Sequence, residues 1–281
     1  MKIIKTIKCL REELTKKRRK GASIGFVPTM GALHQGHLSL VQQAKAVTDC
    51  VVVSIFVNPK QFACDEDFAA YPRDLEKDAA LLENEKIDFI FAPDVEEMWP
   101  VGNKTRVEVT ELSDILLGAL RPGHFCGVTT VVAKLLNIVC PDKIFFGEKD
   151  FQQLTIIRQM VEDLAFPTTV VPVPTLRDAD GVAASSRNAY LTPAQRAAAV
   201  VIPTALSEAA QAFKEGVMCS EELKVLIRNI IAREPLVRLE SVEIRDSRSL
   251  HVVKKIHQNA IILLTAIVGK TRLLDEKELK S

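Results

Sequence analysis

The chain has almost no net charge, no cysteine pair at close spacing and no apolar run of membrane length. Its 37 Lys and Arg balance 36 Asp and Glu, leaving a formal charge of +1. There is therefore no global electrostatic case for nucleic acid or a membrane surface as partner. One basic run, Lys16-Lys17-Arg18-Arg19-Lys20, follows an amphipathic segment. It is expected to be the solvated end of a first helix, suiting the negative C-terminal dipole, with Gly21 as cap. The longest apolar stretch, around Ala260 to Val268, is too short to span a bilayer, and Met1 to Thr6 lacks the apolar core of a signal peptide. The six cysteines (Cys9, Cys50, Cys64, Cys126, Cys140, Cys219) contain no C-x-x-C pair. That distribution speaks for reduced thiols in a cytoplasmic enzyme rather than a disulfide framework or zinc site. Cys126 and Cys140 are expected to be small buried hydrophobes. Internal repeats and low-complexity tracts are lacking too.

What is present alternates. Strand-like runs at Ile24–Val27, Val51–Phe56, Phe89–Phe91, Lys143–Phe146 and Thr169–Val173 are separated by helical stretches such as Asp74–Glu85 and Thr129–Val139. Several runs are apolar throughout, as strands covered on both faces are. The pattern predicts an α/β fold with a largely parallel sheet over residues 1–174. From residue 175 to 281 the texture changes to a smaller α+β domain. It has an Ala-rich helical region, Ala194–Phe213, kinked at Pro203, and a helix Ser220–Arg233 started by Ser220. Strand candidates follow at Ser241–Arg245 and Ile261–Val268.

The most informative segment runs from Gly25 to Leu40. An apolar strand leads into a Pro/Gly loop, and His34-Gln35-Gly36-His37 then opens a helix. Two imidazoles three residues apart project to one side of the first turn, where backbone N–H groups and the helix dipole attract phosphate. Gly36 lets a flat ring or a phosphate approach the backbone. A nucleotide site at the carboxyl end of a strand is built in this way, although a single His at a helix start is usually a cap or a packing residue.

Other segments repeat the design. Asn58 and Gln61 follow the second strand, and as amides they can serve hydroxyls and a carboxylate or simply tie down their own loop. Phe146-Gly147-Glu148-Lys149-Asp150 ends another strand and enters a helix carrying Gln152 and Gln153. Asp150 suits an N-cap with Gln153 closing a capping box, whereas Lys149 opposes the helix dipole unless an anion is there too. Ser185-Ser186-Arg187 can clamp a polyphosphate, or lie on an ordinary surface loop. His124, in Arg121-Pro122-Gly123-His124-Phe125, reads as structural more readily than catalytic.

In order, these motifs are Pro28-Thr29-Met30-Gly31-Ala32-Leu33-His34-x-Gly36-His37, Phe56-Val57-Asn58-Pro59-x-Gln61-Phe62, Tyr71-Pro72-Arg73 and Arg121-Pro122-Gly123-His124-Phe125-x-Gly127-Val128. Phe146-Gly147-Glu148-Lys149-Asp150-x-Gln152-Gln153 and Ser185-Ser186-Arg187-Asn188-x-Tyr190-Leu191 follow, with Thr271-Arg272-Leu273-Leu274-Asp275 near the end. Together they closely resemble the pantothenate synthetase (pantoate–β-alanine ligase) family; H-x-G-H alone would place the chain only in a broader adenylyl-transferring superfamily.

The resemblance implies a Rossmann-like N-terminal domain with a small C-terminal lid domain, a homodimer, and ligation of (R)-pantoate to β-alanine using ATP with Mg²⁺ and no tightly bound organic cofactor. Pantoate's carboxylate would attack the α-phosphorus to give pantoyl adenylate and pyrophosphate. The amine of β-alanine would then release pantothenate and AMP. By position, His34, His37, Lys149 and Arg187 would be catalytic, stabilising phosphate charge together with Ser185 and Ser186. Met30 and Gly36 would line the adenosine site, and Gly31, Ala32, Leu33, Gly147, Glu148, Asp150, Leu176 and Ala184 would complete nucleotide binding. Gln61 and Gln153 would grip pantoate with Asn58 and Tyr71 nearby, and Asp78 would organise metal or amine.

Three positions depart from the family's usual pattern, one of them Cys126 at a variable place inside the matching Arg-Pro-Gly-His-Phe loop. Ala184 replaces Met or Leu, which implies looser packing on one face of the nucleotide, and Glu276 replaces Asn after Asp275. The rival reading is a nucleotidylyltransferase of the same superfamily acting on a phosphorylated acceptor. It should need more basic residues around its second substrate.

Overall fold

The apolar runs of the first 173 residues lie side by side in a six-stranded sheet in which every pairing is parallel. The structure, a computed structural model, describes residues 1–62, 68 and 71–280. It divides into two compact units: Met1–Gly147 with Gln152–Val173, and Glu148–Phe151 with the chain from Pro174 onward.

In the first unit the elements are β1 (Lys2–Ile4), α1 (Ile7–Arg18), β2 (Ile24–Thr29), α2 (Gln35–Val47), β3 (Cys50–Ile55), α3 (Leu75–Asn84) and β4 (Phe89–Phe91). Then come α4 (Val95–Met98), α5 (Leu117–Leu120), α6 (His124–Val139), β5 (Lys143–Gly147), α7 (Phe151–Asp163) and β6 (Thr169–Val173). The strand order is β1-β4-β3-β2-β5-β6. From β2 the chain steps one way to β3 and β4 and the other way to β5 and β6. Such a switch point opens a crevice at the carboxyl ends of the two strands that flank it, here β2 and β5.

Successive residues of each strand serve opposite faces. Phe26, Val52, Phe91 and Ile144 pack with Leu10, Leu14 and Leu136, while Val27, Val53, Ile90 and Phe145 pack with Leu38, Val41 and Leu82. Burial on both sides is why these strands read as continuous apolar runs. The edge strand β1 leaves no such signature, and α6 begins at His124 rather than Thr129, entered through Gly123 at φ +80°.

The second unit contains α8 (Pro193–Ala198), α9 (Val201–Lys214), α10 (Ser220–Ile231), β7 (Val237–Asp246), β8 (Ala260–Val268) and β9 (Thr271–Leu279). The strands form an antiparallel sheet in that order. Ile202, Leu206, Phe213, Leu223 and Ile227 cover Ile244, Ile262, Leu264 and Ala266. The helical region breaks at Ala199–Val200, not at Pro203, which lies in the first turn of α9, where a missing N–H costs nothing. Cys219, not Ser220, occupies the N-cap of α10.

The expectation for two thiols is corrected. Cys140 is exposed, in a left-handed C-cap at φ +46°, and Cys126 is partly exposed. Cys64 lies outside the described residues. Among the described residues no helix is long and apolar enough to cross a membrane.

Candidate active site

β2 ends at Thr29, and the chain then turns through two left-handed residues, Gly31 (φ +83°) and Ala32 (φ +51°). The second conformation is unfavourable for a residue with a Cβ. The turn is held by Asp78 of α3, which is 2% exposed. Its Oδ2 accepts from Ala32 N at 3.0 Å and its Oδ1 from Leu33 N at 2.8 Å. A Cβ at Gly31 would stand 2.8 Å from Oδ2, so glycine is required by space as well as by φ. Asp78 is thus placed as the anchor of this loop.

His34 is the N-cap of α2. Its Nδ1 accepts from Gly36 N at 3.1 Å, and His37 Nδ1 accepts from His34 N at 3.3 Å. This reciprocal pattern is the capping box usually made by a hydroxyl and a carboxamide or carboxylate. Accepting through Nδ1 puts the proton of each neutral ring on Nε2, on the side away from the capped backbone. The ring centroids are 4.2 Å apart. The cap thus fixes the tautomer that makes each neutral ring a donor through Nε2.

After β3, Asn58 is 1% exposed and uses its whole amide. Nδ2 donates to Gln61 Oε1 and to Gly127 O, both at 3.1 Å, while Oδ1 accepts from Lys60 N and Trp99 Nε1, both at 3.2 Å. With its oxygen engaged, Gln61 presents Nε2, which lies 3.0 Å from Met30 Sδ. A Cβ at Gly127 would come within 2.1 Å of Lys60 O, so only glycine lets α6 approach this turn. His124 Nδ1 lies 2.8 Å from Gln61 O, and Arg121 Nη2 donates to the same oxygen at 3.4 Å. The Arg-Pro-Gly-His-Phe loop thus supports the Gln61 backbone, the structural role expected of His124.

The lone tryptophan, missed in the sequence, completes this layer. Lys60 Nζ lies 3.9 Å and Lys134 Nζ 5.1 Å from the Trp99 ring centroid, in cation–π contact. Burial holds the Lys134 ammonium below its usual pKa.

Tyr71 is half-buried and meets Phe62 edge-on at 5.9 Å. Of the two glutamines on α7, buried Gln152 ties down the 112–117 segment, accepting from Leu117 N at 3.1 Å and donating to Leu112 O and Ile115 O at 2.9 and 2.7 Å. Gln153 beside it is half-buried on the first helical turn, just after the crevice strand β5.

In the second unit, Lys149 sits in the 3-10 turn Glu148–Asp150, and its Nζ donates to Ala184 O at 2.9 Å. Burial, with Arg187 and Arg177 adding to it, lowers the Lys149 pKa, and Asp150 and Asp275 only partly offset this. A desolvated ammonium near two guanidinium groups gains from an anion. Leu176 O accepts from Ala184 N at 2.8 Å. Ser185 caps the short turn Ser186–Tyr190, accepting from Arg187 N at 3.2 Å, and Ser186 and Arg187 are exposed.

An open parallel sheet with an H-x-G-H helix start at its switch point defines an α/β enzyme of the nucleotide-binding class. A sequence model of the family described as Pantoate-beta-alanine ligase matches residues 2–278. Pantothenate synthetase from Bartonella quintana is 56% identical over 277 residues, covering 98% of this chain and 97% of that protein. The Agrobacterium fabrum enzyme of the same name is 53% identical over 278 residues, with 99% and 95% covered. The crystal structure of pantothenate synthetase from Thermus thermophilus superposes with a TM-score of 0.93 at 42% identity, covering all of both chains. That of pantoate–β-alanine ligase from Francisella tularensis, complexed with β,γ-ATP and β-alanine, gives 0.76 at 36% identity, covering 99% of this chain and 97% of that one. The chain belongs to the pantoate–β-alanine ligase family.

Proposed function

We propose that this chain condenses (R)-pantoate with β-alanine, using the Mg²⁺ complex of ATP as co-substrate, in two steps. In the first, the pantoate carboxylate attacks the α-phosphorus and pyrophosphate leaves. In the second, the β-alanine amine attacks the acyl carbon of pantoyl adenylate and AMP leaves, giving pantothenate. An in-line displacement of this kind depends on positioning and charge neutralisation rather than on a protein nucleophile.

The observation that carries the reading is the imidazole pair. His34 and His37 are locked as Nε2–H donors at the carboxyl end of β2, where they can stabilise charge that grows on the phosphates. Met30, Gly31, Ala32, Leu33 and Gly36 form the adenosine side, on a loop pre-set by Asp78. Gln61, oriented by Asn58, and Gln153 take the hydroxyl and carboxylate groups of pantoate, with Tyr71 nearby. Lys149, Ser185, Ser186 and Arg187 take the polyphosphate, with Gly147, Glu148, Asp150, Leu176 and Ala184 completing nucleotide recognition. Both carboxylate oxygens of Asp78 accept backbone hydrogen bonds, so its part is to hold the loop. The ion travels with the nucleotide, and Mg²⁺ suits phosphate oxygens and water better than an all-protein cage. The reading includes a cytoplasmic homodimer.

The test is release of AMP and pyrophosphate from ATP and Mg²⁺ with pantoate, with and without β-alanine. Sustained AMP release that needs both organic substrates is the expected result. Pyrophosphate release without pantoate, or turnover only with a phosphorylated acceptor, would replace this reading by the nucleotidylyltransferase one.

A further inference from the structure

A segment, 174–185, that belongs to no helix or named strand leads directly into the Ser185-Ser186-Arg187 turn and supplies Ala184 O, to which Lys149 Nζ donates. It folds back on itself: Asp178 N donates to Val182 O at 2.9 Å, Gly181 N to Asp178 O at 2.8 Å and Ala184 N to Leu176 O at 2.8 Å. The Arg177 guanidinium joins this fold to β9. Nη1 donates to Gly181 O at 3.0 Å and Asp275 Oδ2 at 2.9 Å, and Nη2 donates to Asp275 Oδ1 at 2.8 Å and Glu276 O at 3.1 Å. Asp275 is 4% exposed, and Thr175 Oγ1 makes a second tie to Glu276 Oε1 at 2.7 Å. A planar fork on a buried carboxylate fixes direction as well as distance.

We propose that Arg177 and Asp275 are positioning residues of the nucleotide clamp. Neither touches the substrate. Their bidentate pair fixes the 176–184 fold on β9, and hence the stance of Ala184 O, which holds Lys149, and of Ser185-Ser186-Arg187 immediately after it. The same pair accounts for Asp275 in a terminal strand where little chemistry is expected. The inference rests on the assignment of Lys149 and Ser185–Arg187 to the polyphosphate.

The test is Asp275→Asn, which keeps the side-chain shape but turns one oxygen into a donor facing Arg177. The KM for ATP and the inhibition constant of inorganic pyrophosphate should each rise about tenfold. The KM values for pantoate and β-alanine should stay within about twofold, a split that general loosening would not produce. Equal weakening of pyrophosphate and pantoate, or no change in a folded variant, would overturn the proposal. Should Asp275→Asn fail to fold, Arg177→Lys, which keeps the charge but loses the fork, is judged by the same split. A wild-type protein that turns over without pantoate defeats the preceding reading instead. Direct titration of wild type and variant with pyrophosphate then still decides this one.

Discussion

The side-chain amide of Asn58 donates to Oε1 of Gln61 at 3.1 Å, and that bond sets Gln61 with Nε2 turned toward Met30, the end offered to pantoate in the proposed function. Asn58→Asp removes the donor and sets oxygen against oxygen, so Gln61 must flip and present Oε1 in place of Nε2. A misplaced hydrogen bond in a buried site costs about 1–3 kcal/mol, roughly 5- to 150-fold in affinity. Steady-state kinetics should show the KM for pantoate rising by that factor while the KM for ATP is little changed. An effect mainly on ATP would mean that Gln61 serves the nucleotide.

The two histidines each combine a cap and a donor, and substitution can separate these functions. Asn places its oxygen where Nδ1 stands, whereas Gln reaches the position of Nε2. His37→Asn should keep the bond to His34 N and the melting temperature, yet lose about 10²–10³-fold in adenylation rate, the scale for removing one donor to developing charge. His37→Gln should keep more activity and melt lower. If both variants lose stability and rate in parallel, the imidazole acts as a cap alone.

How much of this could be read from the sequence follows from the range of the interactions. Strands β2, β3 and β5 are legible because burial on both faces writes an uninterrupted apolar run. β9 is not, since Asp275, Glu276, Lys277 and Glu278 interrupt its alternation and two of them are buried only because of their local partners. The His34/His37 pair is legible from its spacing, but the reciprocal cap that fixes its tautomer needs the helix start itself. Asp78 is legible as a conspicuous carboxylate and not as an anchor, because the amides it serves lie 46 and 45 positions away. Trp99 is silent, and Gly127 legible only as a motif position, for the same reason: each matters through contact with the Asn58–Gln61 turn.

Two glycines make opposite demands. A Cβ at Gly127 would meet Lys60 O at 2.1 Å, whereas one at Gly147 would meet nothing within 4 Å. Gly127→Ala should therefore destabilise the first unit by about 1–3 kcal/mol, the cost of overpacking against backbone, and should lower the melting temperature. Gly147→Ala should melt like wild type but raise the KM for ATP, since the proposed function gives this open space to the nucleotide. Wild-type ATP kinetics in a well-folded Gly147→Ala would take that glycine out of the site.

Lys149 gives a prediction in protons. Burial, reinforced by Arg187 and Arg177, holds its native pKa below the ordinary 10.5. Between that lowered value and 10.5, the unfolded chain binds a proton that the native protein does not, so this group's contribution makes stability rise with pH across the window. A polyphosphate beside the ammonium reverses the shift by favouring the charged form. Binding of ATP should then take up a proton on the alkaline side, and affinity should fall as pH rises through the free protein's Lys149 pKa. Calorimetric titrations at one alkaline pH, in two buffers of different ionisation enthalpy, count that proton directly. Wild type should show uptake and Lys149→Met should show none. Equal proton uptake in the two proteins would mean that the phosphates do not bind at Lys149.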